Sequence, residues 1–334
     1  MGNRALRVCQ VGREVTWGTP VAATAVLGGL SDLTIDPQSS NIQRRFLQGD
    51  YAPAHAMVQT DLRAKGMVNG DFTCEDFPII AECAIKGAVT GSVTDTTAYT
   101  YAFPFPMTAS PAIEYRTWEF YDQQQEYQAS GALIESFTLS GGNAIDSIVA
   151  FQANLLFGKV VKSTLTAALS SRAMTLMPCA NMKLYIDALG GTIGTTVKAD
   201  TLIGWTFTYN TGLHLKKFQS GGINPSQWGY GIPTWKLDMT AEFNSVGVAE
   251  VDAALAATGR LYRLIGENGL AGSSTAKYTL DLQLAGDIVN ISDLWGDRDG
   301  NTIATFSLSG RYDRGAFANY GKLNVINKVA ALPG

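Results

Sequence analysis

Charge is scarce in this chain. Only 16% of its 334 residues are Asp, Glu, Lys or Arg, against about a quarter in ordinary soluble domains. The shortage points to surface buried in an assembly, because obligate interfaces are depleted in charge relative to free surface. The formal net charge of −4 and the pI near 5.3 exclude a protein that grips nucleic acid through clustered cations; a passive encounter with DNA stays compatible. Histidine is almost missing, with only His55 and His214. No H-E-x-x-H, G-x-S-x-G or G-x-x-x-x-G-K-[ST] occurs, so the usual hydrolytic and phosphate-binding constellations are absent from the sequence and no enzyme is expected. Cys9, Cys74, Cys83 and Cys179 are widely spaced with no C-x-x-C, which excludes a zinc ribbon or redox motif and predicts buried reduced thiols. No run approaches the roughly 18 apolar residues of a membrane-spanning helix. The start, MGNRALRVCQVG, lacks the apolar run of a signal peptide, and Leu6 stands where a myristoylation motif needs Ser or Thr. Synthesis and folding in a cytosol are expected.

What the chain has is β-type alternation. Leu237, Met239, Ala241 and Phe243 face one way and Lys236, Asp238, Thr240 and Glu242 the other, as a half-buried strand requires. KYTLDLQL, with Tyr278, Leu280, Leu282 and Leu284, repeats the pattern. AYTYAFPF puts Tyr99, Tyr101, Phe103 and Phe105 on one face, and Pro104 and Pro106 mark a strand end or edge. ESFTLSGG and NTIATFSLSG supply further strands, and GGLSDL and SGGN read as turns. Two short helices are expected. DFPIIAECAIKG offers Asp76 as cap, Pro78 in the first turn, an apolar set Phe77, Ile80 and Ala84, and Gly87 as stop; VGVAEVDAALAATG offers Val248, Val251 and Leu255, with Gly259 as stop.

These pieces recur in order, which indicates a diverged tandem duplication. RRFLQG begins at Arg44 and KKFQSG at Lys216, 172 residues later, and the same offset sets Leu33 on Trp205 and Ile35 on Phe207. An offset of 171 sets Lys65 on Lys236 and Phe72 on Phe243. Returning to 172 sets Ile79 on Val251, Cys83 on Leu255 and Gly87 on Gly259; ANLLFGK matches TFSLSGR at 152. The shrinking offset places extra residues of the first half around 104–130. Two domains follow, 1–165 and 181–334, with a linker at 166–180.

Each half carries a long segment between strands, 38–61 and 210–234. Loops of roughly 24 residues in a compact domain are usually functional or packed on something else. Paired cations beside an aromatic suit docking on another protein surface. Arg44, Arg45, Phe46 and His55 in the first loop, and Lys216, Lys217, Phe218 and Trp228 in the second, are the candidate contact residues.

Two carboxylate groupings compete for attention. Asp293, Asp297, Asp299 and Asn301 could offer oxygens to Ca²⁺ but lack the spacing and terminal glutamate of an EF-hand; Asp299-Gly300 is also a two-residue hairpin signal, and we take it as a turn. Glu114 and Glu119 flank an aromatic-rich strand, yet five-residue spacing puts them on opposite faces, so paired glycosidase chemistry is not expected. Neither cofactor nor metal is expected.

GREVTWGTPVAAT near the start, followed by LSDLTIDP, a long loop, one short helix and a hydrophobic strand ending FGK, resembles the tail tube (major tail) proteins of long-tailed bacteriophages. The resemblance covers most of residues 10–160, and the internal repeat extends it to about 327. It implies a mainly β fold: two tandem β-sandwich or barrel domains, each with one flanking helix and a long inter-strand loop. It also implies a structural virion protein of the tail, assembled in the host cytoplasm. Such rings are commonly hexameric; a tandem chain implies a trimeric, pseudo-hexameric ring, stacked through the long loops into a hollow conduit for DNA. The partners implied are other copies of the chain, other tail proteins at the tube ends, and DNA passing without sequence-specific binding. A competing expectation is a carbohydrate-binding or adhesin module using Trp118, Trp228, Tyr230 and Trp235 as exposed platforms.

Overall fold

The computed structural model describes residues 6–110, 112–142, 147–219, 222–273 and 275–333. Asn143 of the SGGN turn, and Ser220 and Gly221 of KKFQSG, lie outside the described residues. The fold is mainly β with two short helices. The first series of elements is β1 (Val8–Arg13), β2 (Ala25–Val26), β3 (Leu30–Arg44), β4 (Ala56–Asp71), α1 (Phe77–Ala84), β5 (Ser92–Asp95), β6 (Ala98–Pro104), β7 (Arg116–Tyr121), β8 (Glu126–Gly141), β9 (Ala150–Phe157) and β10 (Lys159–Lys162). The second is β11 (Met182–Ala188), β12 (Leu202–Asn210), β13 (Leu213–Lys216), β14 (Gln227–Tyr230), β15 (Thr234–Glu242), α2 (Ser245–Leu255), β16 (Arg260–Leu270), β17 (Lys277–Arg298), β18 (Asn301–Gly310) and β19 (Gly321–Asn327).

Two long strands organise everything. The first half of β8 pairs with β7 and β10, and its second half with β9; likewise β17 pairs first with β16 and β19 and then with β18. Each strand has a bulge in its pairing with the next strand, between Ile134 and Ser136 in β8 and between Ile288 and Asn290 in β17. An extra residue bends a strand and raises its twist, which lets one strand serve two sheets. On either side the order is the same: β3–β4–β9–β8 and β12–β15–β18–β17. β8 then pairs directly with β12, from Trp205 opposite Gly141 to Asn210 opposite Ser136. The result is one eight-strand array, β3–β4–β9–β8–β12–β15–β18–β17.

Alternation crosses that seam in register. One row runs Asp32, Asn69, Gln152, Thr138, Thr208, Lys236, Ser309 and Asp287 across all eight strands. The next row, Leu33, Val68, Ala153, Phe137, Tyr209 and Trp235, is apolar. The apolar face packs in a single core with α1, Tyr101, Phe103, Phe105, Leu282, Phe306 and Val325. Phe137 of the first series lies 6.0 Å from Phe207 and 5.5 Å from Tyr209 of the second, so aromatic packing joins the halves.

The pairing also corrects several alignments. Lys65 faces Leu156 and Lys236 faces Ser309, so β9 and β18 correspond at an offset of 153, not 152. A one-residue slip would set buried apolar Ala153 and Leu155 on Thr305 and Ser307 of the polar face, whereas 153 sets them on buried Phe306 and Leu308. The helices correspond at 168, not 172: Asp76 and Asn244 hold the N-cap positions, and buried Glu82 and Glu250 both pair with an arginine that opens a later strand, Arg116 of β7 and Arg260 of β16. Four residues is close to one turn of about 3.6, so the slipped alignment preserved an apolar pattern while misplacing its faces. Val248 and Leu255 are in fact exposed, and α2 buries Gly247, Glu250 and Ala253. The extra residues of the first series lie between α1 and β7 rather than around 104–130; they form the β5–β6 hairpin, and β6 pairs with β19.

Candidate assembly surfaces

The segments 38–61 and 210–234 differ from the expected loops. β3 and β4 continue their pairing out to Arg44 opposite Ala56, so the first segment is mostly a long hairpin arm. Pro37 is tolerated in β3 because that strand pairs on one side only among the described residues. At the tip, His55 Nδ1 accepts from the Phe46 amide at 2.9 Å, so its Nε2 carries the proton toward Asp50, also at 2.9 Å. Arg45 donates to the Asp50 carbonyl at 2.9 Å, and the Phe46 ring stacks on His55. Phe46, Leu47, Tyr51, Met57 and Val58 are exposed on this arm, and Arg44 is exposed at its end. Exposed apolar side chains gathered on one arm mark it as a candidate docking surface.

The second segment folds back. β13 and β14 form a separate two-stranded hairpin, and Leu213 and Trp228 join Trp17, Leu133 and Leu156 in a small second core. Lys217 reaches the Thr60 carbonyl and the Asp61 carboxylate on the first arm, and the Leu62 amide donates to the Ile223 carbonyl at 2.8 Å. Arg63 and Lys217 together hold the Asp61 carboxyl below the usual range despite some desolvation. Lys216 and Phe218 remain exposed. The second segment therefore braces the first at Thr60, Asp61 and Leu62, whereas Arg45, Phe46 and His55 make their contacts within the arm tip.

The GREVTWGTP segment acts as a clasp. Glu14 is buried, and its carboxylate accepts from the Gly18 amide at 2.7 Å, Thr117 Oγ1 at 2.8 Å and the Gly131 amide at 2.8 Å. Burial raises its pKa despite those donors. Trp17 donates to the Gly131 carbonyl at 3.2 Å, where a glycine at φ +65° leaves room for the indole. The segment thereby fixes the irregularity between Arg116 and Trp118 where β7 pairs with β8, beside the second core.

Sheet edges and one sheet face complete the surfaces. Among the described residues β3 pairs only with β4, and the second half of β17 only with β18. The eight-strand array thus ends in an unpaired strand on each side, which in a free protein is an invitation to strand addition. Its solvent face is a lattice of hydroxyls and amides: Thr138 meets Thr208 at 3.2 Å across the seam, Thr240 meets Thr305 at 3.1 Å, and Asn154 donates to Ser136 at 2.9 Å. Arg7, Lys65, Lys236 and Arg311 pair there with Asp32, Glu135, Asp238 and Asp287, and Asp36 and Glu242 supply the acidic excess.

The remaining expectations resolve plainly. Trp118 and Trp235 are buried, and Trp228 and Tyr230 are half-buried, so the exposed platform of an adhesin is not formed by these four. Arg298, Asp299, Gly300 and Asn301 form the β17–β18 turn, with Asp299 and Gly300 at φ +52° and +84°. Glu119 is buried and accepts from Thr166, while Glu114 pairs with Arg13, so the two carboxylates serve separate structural contacts. The four thiols are buried and free; burial pushes Cys9 and Cys74 up, and Cys83 to about 12. No described helix is long and apolar enough to cross a membrane. Sequence reasoning missed the β8–β12 seam, because long-range pairing leaves no local signal, and it missed the exposed Trp295, whose neighbours read as a calcium or turn motif.

A search of curated proteins returned no match. The sequence pattern of the phage tail tube protein family, however, matches residues 5–313. Nearly the whole chain is thereby covered, and the family is one of structural virion components of the tail. With a mainly β fold, unpaired sheet edges and a projecting apolar arm already in view, the chain belongs to the phage tail tube protein family.

Proposed function

We propose that the chain is a tandem subunit, with domains at 1–165 and 181–334, and that three copies close a pseudo-hexameric ring. One observation carries this reading: β8 of the first half pairs with β12 of the second. The second half of β17 stands where β8 stands, and β3 where β12 stands, and both are unpaired on that side among the described residues. Repeating the internal seam between chains joins β17 of one copy to β3 of the next. A heterologous contact of this kind generates a closed ring when its rotation closes.

The polar face of the array then lines the bore. Its acidic excess and hydroxyl lattice repel phosphate without offering the cation clusters that hold DNA, so a duplex passes without adhering. The β3–β4 arm, with Arg44, Arg45, Phe46 and His55, and the bracing loop, with Lys216, Lys217, Phe218 and Trp228, form the contact between stacked rings. Assembly takes place in the host cytoplasm, with other tail proteins capping the tube.

The seam register supplies the test. Thr138 and Thr208 face each other inside the chain; the corresponding residues at the chain junction are Ser292 and Asp36. Directly opposed strand residues have Cβ atoms roughly 4.5–5.5 Å apart, close to disulfide reach. Oxidation of an Asp36→Cys, Ser292→Cys double variant is expected to give a covalent ladder ending at three chains, and either single variant none. A ladder ending at six, or no cross-link in assembled material, contradicts the reading.

A further inference from the structure

The second half of β17 departs from β8 at one place. Thr138, Leu139 and Ser140 face Gln152, Phe151 and Ala150 without interruption. In β17, Ser292 faces Thr305 and Gly296 faces Ile303, so three residues, Asp293, Leu294 and Trp295, occupy the place of Leu139. Asp293 and Trp295 both sit at positive φ, +53° and +68°. A bulky side chain there is a genuine outlier, and such strain gathers at functional positions. Trp295 is 75% exposed and Leu294 41%, whereas Leu139 is fully buried because Phe207 of β12 lies opposite it.

The residue of β3 that corresponds to Phe207 is Ile35, a smaller side chain. Ile35 lines a cavity of about 340 Å³ with Cys9, Leu27, Leu33, Phe120 and Tyr127. Its volume is that of roughly ten waters. In the second half, Phe137 from across the seam packs against Phe207 and Tyr209 at the corresponding edge. Sizes are therefore exchanged between the two junctions: large Phe207 against Leu139 within the chain, and small Ile35 against a protruding Leu294–Trp295 pair at the free edges.

We propose that Trp295 and Leu294 of one copy seat in the Ile35 cavity of the next copy, as the anchor of the ring interface. This rests on the ring reading and assigns it a partner surface and a hot spot. Buried aromatic anchors set in a pocket dominate interface energetics, and tryptophan is among the residues enriched there. The anchor also makes the chain junction differ from the internal seam, so six similar contacts around the ring are of two kinds.

The test compares wild type with Trp295→Ala and Trp295→Phe by assembly titration, tryptophan emission and negative-stain imaging. Trp295→Ala is expected to raise the concentration for half-maximal ring formation about tenfold or more, while circular dichroism and melting of the unassembled chain stay unchanged, since the side chain is exposed there. Trp295→Phe should assemble near wild type but lose the blue shift that accompanies wild-type assembly. Rings of Trp295→Ala forming at wild-type concentration, with no blue shift in wild type, overturn the anchor. If the Asp36–Ser292 cross-link still forms in that case, the ring reading stands without it; if it does not form, both fall.

Discussion

Glu82 is the residue on which the first half turns. Its carboxylate is fully buried and accepts from Arg116 at 2.8 Å, from Arg13 at 2.9 Å and 3.0 Å, and from the Val89 amide at 3.2 Å. Arg116 is equally buried and also donates to the Pro333 carbonyl at 2.8 Å, which ties the end of the chain to α1. Replacing Glu82 by Leu strands a guanidinium in the core, so a loss of about 3–5 kcal/mol is expected in denaturant unfolding. Asp187 makes a different kind of prediction. Against the cost of burial, donors from Thr195, Thr196 and Gly194 hold its carboxyl below the ordinary aspartate value of 3.8. A lowered folded pKa gives stability that is present above the unfolded pKa and lost as pH falls through the folded one. Asp187→Asn should therefore lower the melting temperature at pH 7 and do so much less at pH 2, which thermal melts at the two pH values would read.

At the scale of elements, the β3–β4 arm contributes little to the core and much to exposed apolar surface. Excising residues 45–55 and closing the hairpin with Asn-Gly should leave melting within a few degrees of wild type, because surface loops tolerate length change. Rings should form and stacked tubes should not; tubes of normal length from that variant would remove the arm from the stacking contact. How much of this was legible in sequence follows from the range of each signal. Alternation in KLDMTAEF and AYTYAFPF located β15 and β6 because period two is local. The arm was hidden because Asn41, Gln43 and Thr60 read as polar loop, although they belong to the paired strands β3 and β4, which lack a buried face there. The face of α2 was misjudged because Val248 and Leu255 have helical spacing but sit opposite the buried Gly247, Glu250 and Ala253. The contact between the two segments, through Lys217 and Asp61, depends on long-range pairing, which no local pattern encodes.

At the scale of the whole molecule, one array of eight strands unites both halves, and the proposed ring joins its two edges by repeating the β8–β12 seam between chains. That junction is the central claim, and high-resolution electron cryomicroscopy of the assembled tube tests it most directly. The account predicts three chains per ring, with β17 of each running antiparallel beside β3 of the next and Ser292 opposite Asp36. Six chains per ring, or a β3 edge left facing solvent inside the tube, would contradict it.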